Sequence, residues 1–372
     1  MSVLITGASI AGLTAAYRLH EIGETVTVVE RNPDLRRAGS PIDIRGDALG
    51  VAERLGVLAG ARANRVQSSD RTAFTTWVDR DSRPVAVLPA EAATDSEEDV
   101  ELVRAKLIDL LQGAVPSGVE FRYGDWVEGV TDTGDAVEVT FAGGLRERFD
   151  YVVGADGMHS SVRKAVFGPE PEFRVHLGGY FAIVNLPADF GTAGESITFN
   201  TPGRQYCVSN YGDFTVGYLG FRSPEIEYDV HDADAQKDLL LKALGDETGW
   251  EVPALIQAVR DAPDVYFDSL SQIKMPEWSR GRVVLIGDAA HATSPLSGRG
   301  TSLAMLGADF LAAELEKGDH RTGFARYEEQ LRPYVEFAQG VAPEARDFMI
   351  PATAEALAER NRNFPLTPAG TV

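Results

Sequence analysis

The chain has 372 residues, 44% of them hydrophobic and 24% charged, with a formal net charge of −21. That length accommodates two ordinary domains, and that composition supports a packed core. The acidity argues against nucleic acid and anionic membrane surfaces, which bind through a Lys/Arg surplus. The single cysteine, Cys207, excludes an intramolecular disulfide, a thiolate zinc site and an iron–sulfur cluster.

The chain opens on Val3-Leu4-Ile5, a short apolar run with the character of a buried parallel strand. No basic n-region precedes it and no run approaches the roughly twenty apolar residues of a membrane span, so a cytoplasmic protein is expected. Gly7-Ala8-Ser9-Ile10-Ala11-Gly12 follows, then a helical stretch over 13–20 and a β-branched strand over 25–29 that ends on Glu30. This is a βαβ unit with dinucleotide-binding parts. Gly7 allows the tight turn, and Gly12 lets helix and strand pack closely. The helix start at Ser9, Ile10 and Ala11 offers N–H groups to a pyrophosphate. Glu30 is placed to accept hydrogen bonds from a ribose. Ser9 stands where the second fingerprint glycine is usual, so its Cβ crowds the phosphates while its hydroxyl can donate to one. Arg31, Arg36 and Arg37 could face phosphate or form a solvated loop.

Pro41-Ile42-Asp43-Ile44 reads as a short strand, 47–55 as a helix, 72–88 as strands and 100–111 as a helix with Arg104 near its start. Three alternating segments at 119–123, 126–130 and 136–141 suggest a β-meander. Tyr151-Val152-Val153 is again a buried strand, ending in Gly154-Ala155-Asp156-Gly157. Residues 181–221 are strand-rich and aromatic, which fits an antiparallel sheet. Helices are expected at 232–244 and 253–262, and a strand at 266–273. A parallel-type strand over 282–286 runs into Gly287-Asp288-Ala289-Ala290-His291. Helices at 301–316, 322–339 and 352–362 complete the chain. The histidines show no metal-ligand clustering, so no metal is expected.

Three strand-end motifs belong together: the opening glycine turn with Glu30, the stretch from Asp150 to Arg163, and Gly287-Asp288-Ala289-Ala290-His291-Ala292-Thr293-Ser294-Pro295-Leu296-Ser297-Gly298-Arg299-Gly300. In order and content they resemble the class A flavoprotein monooxygenases, the para-hydroxybenzoate hydroxylase family, over roughly residues 2–331. Chain length and Gly39-Ser40-Pro41-Ile42-Asp43-Ile44 are most similar to the tetracycline-inactivating subgroup. The resemblance implies an α/β fold: a Rossmann-like FAD-binding domain from 1–70, 101–170 and 273–340, with an inserted, mostly antiparallel β-sheet substrate domain from 71–100 and 171–272. C-terminal helices over 341–372 form a tail.

The resemblance also implies residue roles. Asp288, after Gly287, holds the ribityl chain of FAD. Pro295 lies beside the place where oxygen is activated, and Gly298 and Gly300 bring backbone N–H groups to the flavin ring. Pro295 and Gly298 are therefore the nearest to catalytic residues. Arg104 contacts FAD near its pyrophosphate, Asp43 is a flavin contact, Arg36 an NADPH contact, and Asp156 belongs to a motif serving both. Asp156 equally reads as a turn cap, and Arg299 receives no role. His291 is part of the fingerprint and not a general base, and none is assigned. The implied activity is NADPH- or NADH-driven insertion of one oxygen atom from O2 into a bulky phenol, a polyketide or tetracycline-like molecule, through a flavin C4a-hydroperoxide. The substrate would lie between the two domains, with Phe199, Tyr206, Tyr211 and Phe221 as lining candidates that read equally as core. A monomer or weak homodimer is expected. A flavin dehydrogenase or reductase, and a catalytically inactive flavin-binding ligand sensor, stay open as alternatives.

Overall fold

The computed structural model describes residues 1–34, 40–66, 73–89, 92, 95–230 and 232–366. In chain order the elements are β1 (Ser2–Thr6), α1 (Ile10–Glu21), β2 (Thr25–Glu30), β3 (Pro41–Ile44), α2 (Ala48–Arg54), α3 (Leu58–Ala63), β4 (Ala73–Val78), β5 (Pro84–Pro89), β6 (Val100–Val103), α4 (Arg104–Ala114), β7 (Glu120–Tyr123), β8 (Val127–Asp132), β9 (Val137–Phe141), β10 (Arg146–Phe149) and β11 (Tyr151–Gly154). There follow α5 (Ser161–Val166), β12 (Arg174–Leu186), β13 (Ser196–Thr201), β14 (Arg204–Asn210), β15 (Thr215–Arg222), α6 (Ala233–Leu244), α7 (Val252–Asp261), β16 (Val265–Ile273), β17 (Ser279–Arg280), β18 (Val283–Leu285), α8 (Asp288–His291), α9 (Gly300–Leu315), α10 (His320–Met349) and α11 (Ala354–Asn363). The chain divides into two compact units: Met1–Arg65 with Glu98–Val175 and Ser271–Ala342, and Val66–Glu97 with His176–Leu270 and Pro343–Val372.

The first unit is built on a six-stranded sheet in the order β17-β18-β11-β1-β2-β7. Val3 pairs with Tyr151 on one side and Val26 on the other, both in parallel. Strands buried on both faces need apolar residues at every position, and Val3, Leu4 and Ile5 are fully buried. Burying each such side chain stabilises the fold by about 1.5–3 kcal/mol. Helix α1 buries Ala15 and Ala16 and packs against α9 and α4.

Two local expectations are corrected here. Residues 100–103 are not helical: β6 pairs antiparallel with β3, and the helix starts at Arg104. Leu102 is fully buried in that pairing, a tertiary contact that outweighs the helical periodicity of the stretch. The 119–123 segment is not part of a meander. As β7 it extends the parallel sheet from β2, and the three-stranded meander is β8-β9-β10.

The second unit carries a seven-stranded sheet in the order β16-β12-β15-β14-β13-β4-β5. The β12–β15, β15–β14, β14–β13 and β4–β5 pairs are antiparallel, while β13–β4 is parallel. One face buries Tyr180, Phe199, Tyr206 and Phe221 in a cluster with Leu240 and Leu244 of α6 and Leu255 of α7. The C-terminal helix, read from sequence as a tail of its own, packs against β5 and β13. There Val87 N donates to Phe364 O at 3.0 Å. The Trp77 ring meets Phe348 and Phe364 at 5.6 and 6.1 Å. Among the described residues no helix is long and apolar enough to cross a membrane.

Candidate functional site

At the end of β1 the chain turns through Gly7, whose φ is +92°. A Cβ on Gly7 would lie 2.5 Å from the Ala155 carbonyl oxygen, and one on Gly12 would lie 1.9 Å from the Gly7 carbonyl oxygen. Backbone meets backbone at both positions, which only glycine permits. Ser9 is the N-cap of α1, no side chain caps the first turn, and no acidic residue lies in it. The helix therefore presents Ile10, Ala11 and the positive end of its dipole to an anion. Glu30 steadies the turn: Oε2 accepts from Ala8 N at 2.8 Å, and Oε1 accepts from Asn32 N and Nδ2 at 2.9 and 3.0 Å. Oε1 is thereby saturated, while Oε2 keeps one lone pair for a ligand hydroxyl.

The serine in the fingerprint has a partner. Arg104, the first residue of α4, donates from Nη2 to Ser9 Oγ at 2.8 Å. The β3–β6 pairing delivers Arg104 to the glycine turn, so an irregular-looking fingerprint and a distant arginine form one feature. Arg31 is exposed and stacks over Trp126, with its guanidinium carbon 5.0 Å from the ring centre. Arg36 lies outside the described residues.

The third motif begins where β18 ends. Gly287 is the N-cap of α8, and a Cβ on it would come within 3.0 Å of Ala11 Cβ at the start of α1. Asp288 follows with its side chain exposed. The loop after α8 is held by its own hydroxyls: Thr293 Oγ1 lies 2.8 Å from Ser297 Oγ, which donates to Ser294 O and accepts from Arg299 N. Pro295 and Gly298 are exposed on it. Gly298 N donates to Pro295 O at 3.1 Å, so that N–H serves the turn itself. The start of α9 at Gly300 has no side-chain cap and no acid in its first turn. Sequence reasoning missed what ties this loop to β3. Arg45 donates from Nη2 to Asp43 Oδ2 at 2.9 Å, Arg45 N donates to Ser302 Oγ at 2.9 Å, and a Cβ on Gly298 would lie 3.7 Å from Arg45 Nη2. The available signal was the position of Arg45, two residues from Asp43 and so on the same side of an extended chain.

The second motif sits between these two. Asp156 accepts from Ser160 Oγ at 2.5 Å, from Ser161 N and Oγ at 2.8 Å, and from Val162 N at 3.2 Å, which caps the start of α5. Arg163 is fully buried, donating to Ala289 O at 3.0 Å and to Met158 O and Glu170. His291 is buried against Trp278, ring centres 4.7 Å apart. Burial, aided by Arg332, pushes its pKa down to about 3, so it is neutral at physiological pH. Among the described residues no group of His, Cys, Asp and Glu is placed to hold a metal ion.

The residues read as lining a substrate fare differently. Tyr206 is fully buried, donates its hydroxyl to Leu244 O at 3.1 Å, and has its pKa raised to about 12 by burial. Phe221 stacks on Tyr180, and Phe199 stacks on Tyr206. These three are core residues of the second unit, placed there because their side of the sheet meets α6 and α7. Tyr211 is half-buried and stacks on Phe214 at 4.7 Å.

The chain matches the FAD binding domain family over residues 1–223 and 256–338. A flavin-dependent monooxygenase from an unknown prokaryotic organism is 34% identical over 366 residues, covering 96% of this chain and 94% of its own. An uncharacterized protein of Mycobacterium tuberculosis is 41% identical over 348 residues, covering 90% and 91%. Among solved structures, tetracycline destructase Tet(51) superposes with a TM-score of 0.84 at 30% identity, covering 97% of this chain and 95% of that one. Tetracycline destructase Tet(55) gives 0.82 at 33%, covering 97% and 94%. With three glycine-bearing turns meeting at the carboxyl ends of parallel strands, the chain belongs to the FAD binding domain family and is a class A FAD-dependent monooxygenase.

Proposed function

We propose that the protein is a single-component monooxygenase, driven by NADPH or NADH, that hydroxylates a bulky polycyclic phenol of polyketide or tetracycline type. The balanced reaction consumes O2, one reduced nicotinamide and a proton. It gives the hydroxylated substrate, water and the oxidised nicotinamide. The observation that carries this reading is the convergence of the three motifs, with Gly7 against Ala155 and Gly287 against Ala11. The tetracycline destructases similar to the chain support the substrate class, and the flavin-dependent monooxygenase supports the reaction.

FAD fits the residues present. The cradle at Gly7 and Gly12 leaves no room for a Cβ, and the uncapped start of α1 suits a pyrophosphate. Arg104, fixed on Ser9, would add a positive charge beside it, and Glu30 Oε2 keeps a lone pair for a ribose. Asp288, exposed after Gly287, is the residue to hold the ribityl chain. Asp43, Arg45 and the turn from Pro295 to Gly300 would border the ring. Bound FAD supplies two-electron reduction by nicotinamide and activation of dioxygen. The chain's own work is to bind, orient and exclude water. The uncapped start of α9 at Gly300 would offer a helix dipole to the negative charge that grows on the ring on reduction. His291, neutral and buried, takes no proton in this scheme.

The test is anaerobic mixing of FAD-loaded protein with NADPH or NADH, following the flavin's visible absorption with and without polycyclic phenols. Bleaching accelerated by a phenol, followed in isotopically labelled dioxygen by a product carrying one labelled oxygen, is the expected result. A flavin that stays oxidised with both nicotinamides and every phenol overturns the single-component reading.

A further inference from the structure

A cavity of about 370 Å3 in the second unit, outside all the residues assigned above to FAD, is lined by Trp77, Val78, Phe199, Leu357, Arg360 and Asn361 among others. That volume is at the small end of the range for small-molecule sites. Arg360, on α11, is 94% buried at its wall (6% exposed). Its guanidinium lies over the Trp77 ring at 4.1 Å. Among the described residues every hydrogen bond it makes is to a neutral oxygen. Nη1 donates to Asn200 Oδ1 at 2.9 Å and to Phe348 O at 3.2 Å, while Nε and Nη2 donate to Asn361 Oδ1 at 3.2 and 2.9 Å. Asn200 cannot turn away, because its Nδ2 donates to Arg204 O and Met349 O.

Among the described residues Arg360 has no carboxylate partner. Two carboxylates do line the cavity, and neither is ion-paired with Arg360; one oxygen of each serves its own loop. Glu247 Oε1 accepts from Arg80 Nη2, Thr248 N and Gly249 N, and Asp79 Oδ1 accepts from Asp81 N and Arg83 N. Burial pulls the Arg360 pKa down to about 10. A buried cation is ordinarily paired, and leaving one unpaired is costly. Asn361 sharpens the point. It faces the guanidinium with one oxygen shared between two nitrogens, where an aspartate of the same shape would form a bidentate ion pair. Among the described residues nothing supplies the countercharge.

We propose that this cavity binds a small organic carboxylate, its anionic end paired with Arg360 and its apolar body against Val85 and Leu357. Nε and both N–H groups of Nη1 are already used, so the carboxylate would take the second N–H of Nη2 and the guanidinium's charge. The apolar walls distinguish such a ligand from inorganic phosphate, which would leave them bare. This site is independent of the reading of the reaction given above.

The probe is benzoate, titrated calorimetrically into FAD-loaded protein, with acetate and inorganic phosphate alongside and the flavin's visible absorption recorded. Benzoate is expected to bind and raise Tm, with the flavin spectrum unchanged. Acetate and phosphate are expected to bind at least tenfold more weakly. Asn361→Asp supplies an internal carboxylate without changing shape. It is expected to raise Tm in the absence of benzoate and to weaken benzoate binding at least tenfold. Arg360→Met should abolish benzoate binding, and Leu357→Trp, which keeps the charge and fills the cavity, should do the same. Absence of benzoate binding to the wild type overturns the proposal. So does binding that Asn361→Asp and Leu357→Trp leave unchanged, and so does phosphate binding as tightly as benzoate.

Discussion

The pair Ser9–Arg104 shows what a single position can and cannot reveal. Ser9 was conspicuous in the sequence as a departure from the glycine fingerprint. Its meaning was not, because the guanidinium that uses its hydroxyl is 95 residues away. Gly12 is the opposite case. Its spacing from Gly7 announced a close approach, and the approach is there, 1.9 Å for a Cβ built on Gly12. Gly12→Ala is therefore expected to fail in a specific way. The clash is with backbone, not with a side chain that can swing aside, so the helix start must move. The purified variant should carry little flavin, read as its visible-to-protein absorbance ratio, and lose about 1–3 kcal/mol of stability. A variant with wild-type flavin content would show that the turn is not where the cofactor sits. Ser9→Ala is milder. It removes one charge-assisted bond and leaves the backbone alone, so FAD should bind roughly tenfold more weakly, about 1.4 kcal/mol. Equilibrium titration of the apoprotein with FAD measures it.

Helix and strand periods told most of the elements apart, and failed where pairing partners decided the matter. Residues 100–103 hold apolar positions compatible with a helix, yet β3 offers them a ladder and Leu102 a core position, and the strand wins. That shift matters to the site, since it makes Arg104 the first residue of α4 and aims it at Ser9. The 120–123 segment alternates like an edge strand of any sheet. Only its parallel register, Thr27 with Glu120, reveals which sheet it closes. The ambiguity left open for Asp156 is one of element structure too. Its carboxylate accepts four hydrogen bonds at the start of α5. It also holds the N-cap itself, since Ser160 Oγ donates to Asp156 while accepting from Arg163 N at 2.9 Å. Asp156→Ala should accordingly cost about 1–2 kcal/mol, seen as a lower denaturant midpoint at unchanged m-value. If its work is capping, the same loss appears in apoprotein and in FAD-loaded protein. A loss confined to the loaded form would assign Asp156 to the cofactor instead.

On the scale of the whole molecule, three segments far apart in sequence build one sheet, parallel except for its β17 edge. The signs of this were the three glycine-bearing strand ends, each following a run apolar at every position. The second unit was legible as an antiparallel sheet, but alternation assigns residues to two faces without saying which face meets helices. Phe199, Tyr206 and Phe221 proved to lie on the face beneath α6 and α7. The fingerprint histidine links the site's architecture to global stability. His291 ordinarily titrates near 6.5, and in the fold burial holds it at about 3. Above pH 6.5 it is neutral in both folded and unfolded chains, and its contribution to stability is fully present. As pH falls below 6.5 the unfolded chain takes up a proton that the native state refuses, so stability falls by up to about 1.4 kcal/mol per pH unit. The loss continues until the folded value near 3 is reached. Carboxylates held low in the fold, Glu170 among them, begin to contribute below their ordinary value of 4.5. The window between 6.5 and 4.5 isolates the histidine once the wild type is compared with His291→Asn, which cannot titrate. Urea unfolding at several pH values should show the wild type losing about 2 kcal/mol more than the variant across that window. Parallel curves for the two proteins would mean that His291 takes up its proton in the native state, and would return it to consideration as a group that moves protons.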